Sequence, residues 1–146
     1  MTVHVTDAAK ALALREAADW LEADPRRWSR EEWGRWADGT ELRIISEASR
    51  TWREAFHRPA LACACAGGAI AYASPDSDTA LRTITAFGQH IVDNVTGFAP
   101  YAVDGSPNGL RRTVVRFNDG YALQAGDVIR ELRRAADRLD ALAAAA

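Results

Sequence analysis

The side chains best suited to nucleophilic chemistry in this 146-residue sequence are its two cysteines, Cys63 and Cys65, with His57 and His90 as bases that could serve them. The cysteines stand one residue apart in the run LACACAGGAIAYA, residues 61–73. Attack by sulfur needs a thiolate, and therefore a thiol pKa lowered by a helix N-terminus or a neighbouring base. If Pro59 opens a helix, Cys63 falls near its first turn, and Asp93 or Asp119 could orient the imidazole. A packing role competes with this reading. Cysteine is among the most frequently buried residue types, and beside Ala and Gly it would complete a small-residue helix that neighbours approach closely.

Metal binding asks for more than the pair offers. On a helix, residues two apart point about 200° away from each other. On a strand they share a face but supply only two of the four ligands of a zinc site. No fixed spacing brings in His57 or His90, so neither a metal nor another cofactor is expected.

Two further groups could recognise a partner. Trp28, Trp33 and Trp36 crowd the stretch DPRRWSREEWGRWADGTEL. They are core candidates singly, but would mark a partner surface if two were exposed together. Asn118-Asp119-Gly120 is first a turn, because these side chains bond nearby backbone amides. It is also a polar pair at the end of an apolar stretch, able to hold a ligand. A third candidate is the stripe Arg130, Arg134 and Arg138, with Arg133 beside it, which could meet phosphates. Asp127, Glu131, Asp137 and Asp140 interleave with it, and Arg133 to Asp137 is a favourable helical pair, so a solvated mixed-charge face is the preferred reading.

The elements that must position these residues are mostly helices. Leu14, Ala17, Ala18 and Leu21 recur at helical spacing, Thr6 or Asp7 can cap the first turn, and Asp24-Pro25 stops it, giving a helix over about 7–23. Residues 28–40 admit two structures. Ser29 and Glu32 have capping-box spacing for a short helix, whereas Asp38-Gly39 is a hairpin signal. Leu42, Ile45, Ser49, Trp52 and Phe56 predict a helix over about 41–57, closed by Pro59. SPDSDT at 74–79 is a turn and cap, and Leu81, Ile84, Gly88, Ile91 and Val95 predict a helix over about 78–94. Gly88 would let another backbone approach, the small-residue segment being a candidate.

Residues 96–112 read as a long loop, TVVRFNDG as a strand or the lead-in to a turn, and about 125–143 as the strongest helix, with a frayed tail at 143–146. The expected fold is therefore a mostly α single domain over 1–146, of four to five helices, with at most a short hairpin or strand.

Composition bounds the function classes. With 18 basic against 20 acidic residues the net charge is −2, which gives no electrostatic case for nucleic-acid or membrane binding. Lys10 is the only lysine; with abundant alanine and arginine this reads as a GC-rich coding sequence, actinobacterial or from a phage of such a host. MTVHVTDAAK has no basic stretch leading into an apolar one, so no secretory leader is expected. The cysteine pair cannot form a disulfide scaffold, and a reducing cytoplasm is the expected compartment.

Four segments carry a family resemblance: ALREAADWLEADPRRW (12–28), ADGTEL (37–42), ALACACAGGAIAYA (60–73) and VVRFNDGYALQAGDVIRELRRAADRL (114–139). In their order and content they resemble a family of small, functionally uncharacterised proteins of actinobacteria and their phages. That family has a C-x-LGA helix and an aromatic-Asn-Asp turn before its last helix. Ala66 stands where the family has leucine, and Gln124 replaces its threonine cap. The resemblance implies a helical 61–73 with the two cysteines facing opposite ways, and it favours a hairpin near Asp38-Gly39. It singles out Trp28, Cys65, Gly67, Asn118 and Asp119, and it implies no activity.

The reading that results is an accessory protein that binds an unidentified protein partner through Trp28, Trp33, Trp36, Asn118 and Asp119, with self-association as one form of it. The alternatives are a small thiol-dependent enzyme using Cys63 or Cys65 with a histidine, and nucleic-acid binding through the last helix.

Overall fold

Thr6 starts the first helix. Its hydroxyl accepts from the Ala9 amide at 3.1 Å, and α1 (Asp7–Ala23) runs to the residue before Asp24-Pro25, as its spacing predicts. In the computed structural model, which describes residues 4–98 and 105–146, α1 lies against α6 (Ala125–Ala145). Leu14, Ala17, Ala18 and Leu21 face Val128, Leu132, Ala135 and Ala136 in the core. Ion pairs flank the seam: Arg133 holds Asp19 at 2.9 Å and Glu22 at 3.1 Å, while Arg15 holds Asp137 at 2.9 Å and also Asp140. Partner numbers rise on one helix as they fall on the other, so the two run antiparallel.

A second layer is built on α4 (Ser77–Asn94), capped by Asp76, whose carboxylate accepts from Thr79 N at 2.8 Å. Against it packs α5 (Pro107–Arg116), which opens with Ser106 accepting from Gly109 N and proline in the first turn. A Cβ on Gly88 would sit 2.3 Å from the Leu110 carbonyl oxygen, so the backbone that Gly88 admits is that of α5 rather than the small-residue segment.

Between the layers lies α3 (Ala66–Ala73), whose residues Ala66–Ala71 are all buried. Two short strands, β1 (Gly34–Trp36) and β2 (Leu61–Ala64), pair antiparallel, with Gly34 opposite Ala64 and Arg35 opposite Cys63. The fold is mostly α, with six α-helices and a single two-stranded pairing among the described residues.

Several local expectations are corrected. The 41–57 stripe is not one helix. Leu42 N donates to Gly34 O in the hairpin, Ile45–Ala48 forms a tight 3₁₀ turn, and only α2 (Arg50–Ala55) is α-helical. The Arg50 and Thr51 amides donate to the carbonyls of Ser74 and Pro75, so the corner between α3 and α4 fixes where α2 begins. Residues 61–73 are not one helix either, because β1 takes Leu61–Ala64 as its partner and the helix starts only at Ala66. The short helix considered near Trp33 is absent. The chain forms the hairpin instead, with Trp36 N donating to Thr40 O and Gly39 at φ +91°.

The expected 96–112 loop is interrupted by α5 from Pro107 onward, and its residues 99–104 lie outside the described residues. TVVRFNDG is neither strand nor simple turn. It ends α5 and continues into a π-helical turn, Phe117–Tyr121, closed by Ala122 N donating to Phe117 O at 2.9 Å. Helix α6 continues through Ala145, and its start is held by Asp127, which accepts from the Leu123 and Gln124 amides.

Candidate binding cleft around Trp33

The π-helical turn decides what the cleft is made of. Its wider winding sends Phe117 into the core, edge-on to Phe87 and Phe98, and leaves Asn118 fully buried beside the start of α3. Asn118 Oδ1 accepts from the Trp28 indole N–H at 2.7 Å and from Ala66 N at 2.9 Å. Its Nδ2 donates to Ser29 O at 3.0 Å and to Asp119 Oδ1 at 2.8 Å. A carboxamide has two acceptor sites and two donors, and all four are used here. One side chain thus ties the segment around Trp28, the N-terminus of α3 and the π-helical turn together.

Cys65 completes the cap of α3. It is extended at φ −72°, and its sulfur accepts from the Gly68 amide at 3.4 Å. Next to it, Gly67 and Gly68 leave room for the chain crossing above. A Cβ on Gly68 would lie 2.0 Å from Trp33 O, and one on Gly67 would lie 2.9 Å from the Trp33 ring. Cys65 N donates to that same Trp33 carbonyl at 3.1 Å.

Above this base opens a cleft of about 440 Å³ that takes in Glu31, Glu32, Glu41 and Asp119, together with Trp33, Val115 and Arg43. Glu31 holds a left-handed backbone, φ +63°, and its amide donates to Asp119 Oδ1 at 3.0 Å. Non-glycine residues adopt that region at a cost of about 1–2 kcal/mol, so the Asp119 contact fixes a strained residue at the rim. Glu32 is engaged, with Arg35 at 3.1 Å and the Cys63 thiol donating to it at 3.7 Å. Glu31 and Glu41 form no ion pair among the described residues.

The five positions singled out by the resemblance, Trp28, Cys65, Gly67, Asn118 and Asp119, meet at this one place. The three tryptophans do not form an exposed cluster: Trp36 is buried in β1, and Trp28 and Trp33 are half-buried against the core. Glu31, Glu41, Arg43 and Val115 were not singled out from the sequence. The only signal was the density of charge in SREEWGRW and TELR, which by itself reads as solvated surface.

No hydrogen bond joins either cysteine to a histidine among the described residues. Burial pushes the Cys65 thiol up to about 12. Burial also raises the half-buried Cys63 thiol, with the Glu32 charge acting in the same direction. Both sulfurs are therefore neutral at physiological pH. His57 lies exposed in the turn after α2 at φ +50°. His90 is buried on α4, its Nε2 3.0 Å from Glu131 Oε1 and its Nδ1 3.4 Å from Asn94. Desolvation holds the His90 pKa below the usual imidazole range, against the opposing pull of Glu131.

The arginine stripe of α6 is also occupied: Arg130 and Arg134 hold Glu131, Arg138 donates to Asn94 Oδ1 at 2.6 Å, and Arg133 reaches α1 instead of Asp137. Among the described residues no group of three or more His, Cys, Asp and Glu side chains could hold a metal, and no helix is long and apolar enough to cross a membrane.

Neither the curated proteins nor the solved structures contain a match to this chain. A family model, however, matches residues 5–138, nearly its whole length, and therefore every residue of the cleft. The chain belongs to that family, the family of unknown function DUF6197.

Proposed function

We propose that this protein is a binding module rather than an enzyme, and that it receives a cationic segment of a partner protein in the cleft beside Trp33. The observation that carries this reading is the pair of unpaired carboxylates, Glu31 and Glu41, at the mouth of a cleft whose base is locked by Asn118. Glu31 and Glu41 share this cleft with Glu32 and Asp119, so a cation entering it would meet several carboxylates together. The half-buried Trp33 and Val115 offer apolar contact between the charges, the mixture that partner-binding surfaces use. The thiols of Cys63 and Cys65 are neutral and hydrogen-bond to Glu32 and Gly68 rather than to an imidazole, which supports binding over thiol catalysis. In this reading the protein works in the cytoplasm of an actinobacterium or of a host infected by its phage.

The test is a tryptophan-fluorescence titration with a capped peptide containing Arg-Leu-Leu-Arg, with its Gln-Leu-Leu-Gln counterpart as control. The arginine peptide should bind, bind less tightly as salt screens the carboxylates, and lose its affinity for an E31Q/E41Q variant. Equal titration curves for the two peptides would defeat the proposal.

A further inference from the structure

Sharing Trp33 and Val115 with the first cleft is a second, of about 320 Å³, lined also by Asn108, Arg111 and Arg112. It contains no carboxylate, and neither does α5, whose sequence is PNGLRRTVVR. Arg111 donates to Asn108 Oδ1, and neither Arg111 nor Arg112 forms an ion pair among the described residues. The arginines of the α1–α6 seam behave differently, since Arg15 and Arg133 each hold carboxylates. The two clefts share Trp33 and Val115: the unpaired charge of the first is net negative, with Arg43 beside Glu31 and Glu41, and that of the second is positive.

Resting on the reading of the first cleft as a partner site, we infer that the occupant is a peptide segment of a partner protein that is dipolar. A basic residue enters beside Glu31 and Glu41, apolar residues cross Trp33 and Val115, and an acidic residue reaches Arg111 and Arg112. Charge complementarity of this kind selects orientation and partner more than it adds affinity. A nucleic acid fits less well. Its phosphates would suit Arg111 and Arg112, but on reaching past Trp33 they would meet Glu31, Glu41 and Asp119.

The experiment titrates the full chain with capped peptides carrying Arg-Leu-Leu-Glu or Arg-Leu-Leu-Gln, using wild type, R111Q/R112Q and E31Q/E41Q. Wild type should bind the glutamate peptide about three- to fivefold more tightly, the range of an exposed charge pair. That preference should vanish in R111Q/R112Q, while E31Q/E41Q weakens both peptides together. If both peptides bind wild type equally, the dipolar inference falls while the cationic cleft stands. If neither binds, both fall. Binding of a twelve-residue oligothymidylate that R111Q/R112Q abolishes would assign the arginines to nucleic acid and overturn the inference.

Discussion

The seam between α1 and α6 and the cleft around Trp33 hold together in opposite ways. Along the seam, many small apolar side chains interlock, and the charges at its edges pair with each other, Arg15 with Asp137 and Arg133 with Asp19. The cleft is assembled from a short hairpin, a helix start and a π-helical turn, and one buried carboxamide ties the turn to the helix start and to the segment around Trp28 that leads into the hairpin. Stability at the seam is spread over many interchangeable contacts. At the cleft it is concentrated in few residues, while Glu31 and Glu41 at the opening form no ion pair among the described residues.

That contrast is broken most readily at Asn118. Asn118→Ala strands the Trp28 indole N–H and the Ala66 amide in the core. A loss of about 3–5 kcal/mol in urea unfolding is expected, since each orphaned buried group costs about 1–3 kcal/mol. A loss below about 1 kcal/mol would mean that the junction does not depend on this side chain.

Gly68→Ala tests the close crossing of Trp33. Its Cβ would lie 2.0 Å from a carbonyl oxygen that cannot rotate away. A destabilisation of about 2–3 kcal/mol, read as a fall in thermal midpoint, is expected from such overpacking.

Cys65 gives a pH-dependent version of the comparison. Its folded pKa, about 12, lies above its ordinary value of 9.0. The unfolded chain therefore loses this proton first as pH rises. The contribution to stability is fully present below pH 9.0 and is lost between there and about 12, at up to about 1.4 kcal/mol per pH unit. Cys65→Ala should remove that part of the alkaline slope, and unfolding curves taken on both proteins from pH 8 upward would measure it. Identical slopes would show that the thiol is not held neutral by burial.

The smallest effect is expected at the seam. Arg133→Ala should cost less than about 1 kcal/mol, because exposed ion pairs contribute little, and the difference should shrink further in high salt.

What was legible in the sequence follows the same division. Helices α1, α4 and α6 carry long apolar stripes with a cap or a proline at their ends, so local signals and packing agree, and their ranges match the expected ones closely. The hairpin was legible only as one of two alternatives, from Asp38-Gly39, and the start of α3 not at all, because both are decided by residues far away in the chain. Leu42, Ile45, Ser49, Trp52 and Phe56 have helical spacing, yet Leu42 is claimed by Gly34 and the α2 amides by Ser74 and Pro75. LACACAGG has no period that separates strand from helix. Its split at Cys65 depends on β1 and on Asn118, 52 positions later for the Ala66 contact. Asn118-Asp119-Gly120 has the composition of a surface turn, and only the π-helical winding turns Asn118 inward. The resemblance did single out Trp28, Cys65, Gly67, Asn118 and Asp119, the positions where several segments meet and few substitutes fit.

The most direct measurement is amide and indole chemical-shift mapping of the isotope-labelled protein during titration with the Arg-Leu-Leu-Arg peptide. Binding in the Trp33 cleft should shift signals from Glu31 to Arg43, around Cys65 and from Val115 to Tyr121, and leave the exposed face of α1 and α6 unmoved. Shifts confined to the α1–α6 seam, or none at saturating peptide, would contradict the assignment of the cleft as the binding site.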